Sequence, residues 1–186
     1  MSIAYVTGNQ SKFQNASAFL QAVGVTIHQA SASADEIQAS TGIEVAIRKA
    51  HDAYAQLREP LFINDAEWAI PALGDFPGPY MKYIVGWLTQ QDLLKLMEEK
   101  ADRSLILRDT VVYYDGSVES VFTHEVHGKI LTSPQGEPRG PFVTQIFSLR
   151  QDGKSIAEDT AIGFSEDEAI LWAEFATWLK THIPQA

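Results

Sequence analysis

Apolar and polar positions change period several times along the chain, and each change predicts an element. Ile3-Ala4-Tyr5-Val6 is a short unbroken apolar run of the kind a buried strand makes. Over 13–23, Phe13, Ala16, Phe19, Leu20 and Val23 recur at helical spacing and predict a helix with one buried side. A short strand is expected over 25–28, and the small polar residues of 30–40 read as a loop. Ile43, Ile47, Ala50 and Tyr54 return to helical spacing and predict a helix over 43–57. A buried strand follows over 61–65, then a Gly- and Pro-dense loop over 72–80. Thr89-Gln90-Gln91-Asp92 resembles a capping box opening a helix over 93–100. Strand alternation over 104–114 and 118–126 flanks Asp115-Gly116, a strong hairpin signal. Residues 133–141 read as a loop and 142–149 as a strand. Ser165-Glu166-Asp167-Glu168 opens a last helix whose stripe is Leu171, Phe175, Trp178 and Leu179. The order β-α-β-α-β-α-β-β-β-α implies a mixed α/β sheet with helices on its faces. No repeat, low-complexity tract or linker interrupts it, so a single domain over 1–186 is expected.

Composition narrows the partners. The formal net charge is -10 over 186 residues, and no basic stripe is present. A nucleic-acid polymer or an anionic membrane is therefore not expected as a partner. An acidic protein that takes a polyphosphate must gather its cations locally or use a metal ion. Cysteine is absent, which excludes disulfides and thiolate metal sites. No basic leader with a long apolar run and no membrane-length apolar stretch is seen, so a cytoplasmic protein is the default expectation.

Four clusters carry candidate chemistry. The first is the apolar run that ends in Thr7-Gly8-Asn9, with Lys12 one turn into the next helix. Free N–H groups and the positive helix end attract phosphate there. An ordinary βα turn with a solvated lysine would look the same, and the spacing is not that of a P-loop. The second is Phe62-Ile63-Asn64-Asp65, a strand read as delivering a carboxylate to the sheet's C-terminal edge. Asp65 could be a metal ligand, a base for water, or a turn aspartate; Glu67 could join it or lie on the surface. The third is Thr41-Gly42-Ile43-Glu44 with Lys49. Spacing favours a capping box; the alternative has Glu44 on a divalent cation and Lys49 facing phosphate. The fourth is the loop stiffened by Pro77-Gly78-Pro79, where Phe76, Tyr80 and Tyr83 could form a slot for a base or simply fill the space beneath. Elsewhere, His124 and His127 have a spacing that puts them on opposite strand faces, against a two-His metal site. Trp68, Trp87, Trp172 and Trp178 read as core or dimer-interface residues. Arg108-Asp109 reads as an ion pair or a pocket wall.

Taken in order, Thr-Gly-Asn-x-x-Lys, Glu-x-x-Ile-x-Lys-Ala, an apolar strand ending in Asp, and Ala-Leu-Gly-x-x-Pro-Gly-Pro-Tyr-x-Lys resemble the inosine triphosphate pyrophosphatase family. The resemblance covers about residues 3–96 well and reaches more loosely to about 147. It implies a mixed twisted sheet with two lobes around a central cleft, and a homodimer. It also implies Mg²⁺-dependent hydrolysis of a nucleoside triphosphate to the monophosphate and pyrophosphate. Carried over by position, Thr7, Gly8, Asn9 and Lys12 would cradle the triphosphate, with Lys49 on phosphate. Glu44 would hold Mg²⁺. Asp65 would hold metal or activate water, with Lys12 as its catalytic companion, and Tyr80 and Lys82 would contact substrate. The alternative is a non-catalytic nucleotide-binding or regulatory protein on the same fold.

Three departures accompany the resemblance. The acidic residue the family carries before the aspartate is Asn64 here, followed by Ala66, Glu67 and Trp68. The family's Gly-(Trp/Tyr)-Asp-Pro motif has no counterpart before Phe147. Its late Ser-His-Arg, which reads a purine 6-oxo group, is replaced by the acidic and apolar helix 166–175. The preference for inosine and xanthosine triphosphates is thus expected to be altered or lost. Lys82, Arg108, Arg139, Thr144 and Gln145 are the candidate replacement donors.

Overall fold

The computed structural model describes residues 2–34, 37–159 and 163–182. Its elements run β1 (Ser2–Val6), α1 (Gln10–Ala22), β2 (Thr26–Ala30), α2 (Gly42–Leu57), β3 (Leu61–Ile70), β4 (Phe76–Gly78) and α3 (Met81–Trp87). They continue with α4 (Gln90–Leu96), β5 (Ser104–Tyr114), β6 (Glu119–Ile130), β7 (Phe147–Ser148) and α5 (Glu166–His182). Hydrogen bonding joins the strands in the order β2-β1-β3-β5-β6-β7, with β4 on β3. The sheet is mixed: β1 runs parallel to β2 and β3, while β4 on β3 and β7 on β6 are antiparallel. The chain is an α/β protein of two compact units. One comprises Met1–Asp65, Asp109–His124 and Ile162–Ala186; the other comprises Ala66–Arg108 and Glu125–Ala161.

In the first unit the register Ala4↔Leu61 and Tyr5↔Phe62 decides what faces what. Tyr5 and Phe62 point to one side, stacked at 4.5 Å between ring centroids, and meet Trp172 and Phe175 of α5 and Leu20 of α1. Ala4, Leu61 and Ile63 point to the other side, against Ala46, Ala50 and Ala53 of α2. Burial on both faces explains why β1 and β3 begin as continuous apolar runs rather than alternating ones. The alanines of α2 let that helix lie close to the sheet. Gly116, at φ 94°, closes the β5–β6 hairpin, and the Asp115 carboxylate accepts from the amides of Ser117 and Val118 at 2.9 and 2.8 Å.

In the second unit Ile70, Leu93, Met97, Leu105, Ile130 and Phe147 form the core. Gly128 lets β7 approach, since a Cβ there would collide with the Ser148 carbonyl. Trp68 packs on Phe147, Trp172 is in the first unit's core, and Trp178 lies against that core. Trp87 is 72% exposed. Among the described residues no helix is long and apolar enough to cross a membrane.

Several expectations are corrected. β3 does not stop at Asp65; it runs to Ile70, because residues beyond it pair with β4 (Trp68↔Gly78, Ile70↔Phe76). Asp65 is therefore a mid-strand residue. The loop over 72–80 contains that short strand and a 3₁₀ turn, Pro71–Leu73, closed by Gly74 at φ 67°. Helix α3 was not expected, and α4 starts at Gln90, three residues before the expected helix, with Thr89 and Asp92 completing the capping box. β2 ends at Ala30, inside the expected 30–40 loop, of which residues 35 and 36 lie outside the described residues. The strand expected over 142–149 is a 3₁₀ turn, Phe142–Gln145, followed by the two residues of β7.

Candidate active site

The first βα turn is built by its own side chains. Asn9 is the N-cap of α1, its side-chain oxygen accepting from the Lys12 amide at 3.1 Å, and this starts the helix at Gln10 rather than 13. The Asn9 amide donates to Thr7 Oγ1 at 3.1 Å, and Gln29 Nε2 donates to the Thr7 carbonyl at 2.9 Å. Gly8 is not demanded by packing: a Cβ there would meet nothing within 4 Å. The space above the turn is open.

That space belongs to a cavity of about 350 Å³ in the first unit. Thr7 and Gly8 line it from the turn, Lys49 from α2, and Asn64 and Asp65 from β3. Three of the four sequence clusters thus meet at one cavity. Lys49 Nζ and Asp65 Oδ2 form an ion pair at 2.7 Å, both side chains partly buried. Lys12 Nζ lies 3.5 Å from the Asn64 carbonyl oxygen.

Glu44 is not among the residues lining the cavity. Its Oε2 accepts from the amides of Ser40 and Thr41, each at 3.1 Å, and from Thr41 Oγ1 at 3.2 Å. With Thr41 Oγ1 accepting from the Glu44 amide, this is the full capping box of α2. Among the described residues no group of three or more His, Asp or Glu is placed to hold a metal ion. Tyr80, the N-cap of α3, and Lys82, in its first turn, belong to the second unit.

Arg108 is ion-paired as one expectation had it, but not with its neighbour Asp109. Arg108 turns to three carboxylates of the second unit: Nε donates to Glu125 at 2.7 Å, Nη1 to Glu67 and Nη2 to Asp75, each at 3.0 Å. These bonds, Glu125's first, hold its guanidinium still more firmly protonated than usual. Glu67 is buried and committed to this cluster. Asp109 belongs to the first unit, where its Oδ1 accepts from Asn64 Nδ2 at 2.6 Å. Burial pushes its carboxyl up; the Lys12 charge and the Asn64 hydrogen bond oppose that, while Glu168 adds to it. Tyr5, wholly buried, has its hydroxyl pushed up by burial and then by the Asp109 charge. Sequence reasoning missed Asp109 as a partner of Asn64. The available signal was two charges side by side in an otherwise apolar strand.

The acidic residues opening α5 serve the helix: the Ser165 amide and hydroxyl both donate to Glu168 at 2.8 Å, and Ser165 Oγ accepts from the Glu168 amide. Among the candidate replacement donors, Thr144 Oγ1 donates to the carbonyls of Arg139 and Pro141. Gln145 Nε2 donates to the Gly136 carbonyl at 2.7 Å. Both side chains hold their own loop, and Arg108 holds three carboxylates.

A glycine turn at a helix N-terminus, with Lys49 and Asp65 lining one cavity and Lys12 reaching the backbone of Asn64 beside it, makes the surroundings a polyanion needs. Residues 3–162 match the model of the Ham1 family, and the chain belongs to that family, the inosine triphosphate pyrophosphatases. It is 32% identical over 188 residues to a dITP/XTP pyrophosphatase of Thermococcus kodakarensis, covering 98% of this chain and 100% of the relative. It is 34% identical over 157 residues to a dITP/XTP pyrophosphatase of Hyperthermus butylicus, covering 84% and 82% of the two. A solved HAM1 protein from Coxiella burnetii shares the fold with a TM-score of 0.81 at 22% identity, over 97% of this chain and 99% of that one.

Proposed function

We propose that this protein is a house-cleaning pyrophosphohydrolase that cleaves a nucleoside triphosphate to its monophosphate and pyrophosphate. The observation that carries this reading is the convergence of Thr7, Gly8, Lys49 and Asp65, from three separate motifs, on one cavity of the first unit. The amides of the 7–9 turn and the α1 N-terminus bind phosphate oxygens, and Lys12 and Lys49 supply positive charge. Lys49 is held at 2.7 Å from Asp65, so an arriving phosphate shares that ammonium with a carboxylate already in place. Asp65 orients the attacking water and takes its proton.

The residues fit a magnesium ion. Asp65 and Glu44 offer only hard oxygen donors, and Mg²⁺ ordinarily takes one or two carboxylates, the rest of its shell coming from phosphate and water. When bound, it supplies charge neutralisation of the phosphates. Asp65 would hold it from the cavity wall. Glu44 would hold it while also capping α2, the bonds from Ser40 and Thr41 all falling on Oε2. A homodimer, as the resemblance implies, and a cytoplasmic location, the default expectation from the sequence, belong to the same reading.

Base preference is the altered part. A site without a fixed donor for a purine oxo group separates oxo from amino bases only weakly. Thr144, Gln145 and Arg108 are occupied elsewhere, and the α5 opening is acidic. Tyr80 and Lys82 are the substrate contacts this reading assigns to the second unit. A pyrophosphate-release screen over deoxyinosine, xanthosine and the common nucleoside triphosphates tests the function. Pyrophosphate rather than single phosphates is expected with Mg²⁺. If purified protein releases none from any of them with Mg²⁺ or Mn²⁺, the reading is wrong.

A further inference from the structure

Asp109 takes no part in the chemistry above, yet it is tied to it. A carboxylate that leaves water needs compensation, and here an amide side chain supplies it: Asn64 Nδ2 donates to Asp109 Oδ1 at 2.6 Å. The same nitrogen also lies 3.2 Å from the Thr110 carbonyl, so the Asn64 side chain is fixed on β5 from two directions. The backbone oxygen of Asn64 in turn receives the Lys12 ammonium at 3.5 Å. Lys12, Asn64 and Asp109 therefore form one chain of contacts beside the cavity, and the Lys12 charge acts on Asp109 directly. Asn64 itself lines the cavity, immediately before Asp65.

We infer that Asp109 is a positioning residue for Lys12, acting through Asn64. The inference rests on the proposed reading, in which Lys12 meets phosphate. Charge alone would give Asp109 the opposite effect. A carboxylate near a polyanion site repels the ligand, so removing it would tighten binding. Positioning requires that the hydrogen bond matter more than the charge.

Two substitutions separate the cases. Asp109→Asn removes the charge but keeps an oxygen that accepts from Asn64. Asp109→Ala removes both. With deoxyinosine triphosphate and Mg²⁺, Asp109→Ala is expected to lower kcat/KM by about tenfold or more, mostly in kcat, within the about 100-fold that a small misplacement can cause. Asp109→Asn is expected to stay within a few-fold of wild type. In a Lys12→Ala background, Asp109→Ala should add nothing, because its effect passes through that ammonium. Asn64→Ala cuts the same bond from the other side and should reproduce the loss, which covers the case that Asp109→Ala does not fold. Equal losses for Asp109→Asn and Asp109→Ala would overturn the inference. So would a lowered KM with unchanged kcat in both, or a loss from Asp109→Ala that persists undiminished without Lys12. A wild-type protein that releases no pyrophosphate would defeat the functional reading itself, and this inference with it.

Discussion

Two charged clusters, one in each unit, have similar ingredients and different fates. In the first unit Lys49 and Asp65 sit 2.7 Å apart on the wall of a cavity, under a glycine turn with open space above it. In the second, Arg108 gives its three nitrogens to three different carboxylates. Opposite charges in contact are common to both. What separates them is whether the geometry leaves the pair facing room for a ligand or closes it on itself. Charged residue types alone do not distinguish a site from a brace; the surrounding backbone does.

The sharpest way to break this comparison is Asp65→Asn. If the open pair is the site, turnover should fall at least about 100-fold, the low end for losing a general base, with the melting temperature near wild type. Full activity, or a large loss of stability, would move Asp65 to the closed class.

Glu44 lies between the classes, since its carboxylate demonstrably caps a helix. Glu44→Gln keeps a capping-box side chain but loses the charge. If the residue also holds metal, activity should drop by at least the about tenfold that losing even an indirect metal partner costs, while the melt is unmoved. Unchanged activity at all Mg²⁺ concentrations would leave it a cap only.

Specificity sharpens the comparison from the base side. With Arg108, Thr144 and Gln145 engaged in holding structure, kcat/KM for inosine over adenosine triphosphate should differ by about 10–200-fold at most, the range of a merely apolar discriminating pocket. A ratio above about a thousand would point to a dedicated donor, with Lys82 the first residue to replace.

Arg108→Met tests the closed cluster. It takes the Arg108 guanidinium from the buried Glu67 and should destabilise by about 1–3 kcal/mol, read as a fall of about 2–4 °C per kcal/mol in a melt. Activity of the folded protein should stay within a few-fold. Strong loss of turnover without loss of stability would make the cluster functional.

The smallest effect concerns Asp109 and has a definite sign. Its carboxyl is raised in the folded state, so the folded protein holds that proton more tightly than the unfolded chain does. Stability linked to this group therefore falls as pH rises from about 3.9, the unfolded aspartate value, through the raised folded value. Asp109→Asn removes that fall. It should melt slightly higher than wild type at pH 7, with the gain vanishing below about pH 4. A melt lowered at pH 7 would reverse the assigned sign.

Much of the fold was legible because it is set by local rules. The 7–9 turn, the Thr41–Glu44 box, the Asp115-Gly116 hairpin and the acidic start of α5 each depend on residues within four positions of one another. β4 and the continuation of β3 past Asp65 were not legible, because each is a strand only through the other, across the turn between Ile70 and Phe76. The same holds within the candidate site. The turn, Lys49 and Asp65 could be named from motifs. Asp109 could not, because its contact with Asn64 spans 45 residues and exists only once β3 and β5 pair.

The cap of α2 has one more consequence. The amide protons of Ser40 and Thr41 point at the very oxygen that a cation on Glu44 would draw upon. Their exchange with deuterated solvent is thus a built-in gauge of that carboxylate's allegiance. Slow exchange marks a side chain given to its helix, and acceleration on adding Mg²⁺ marks one drawn away.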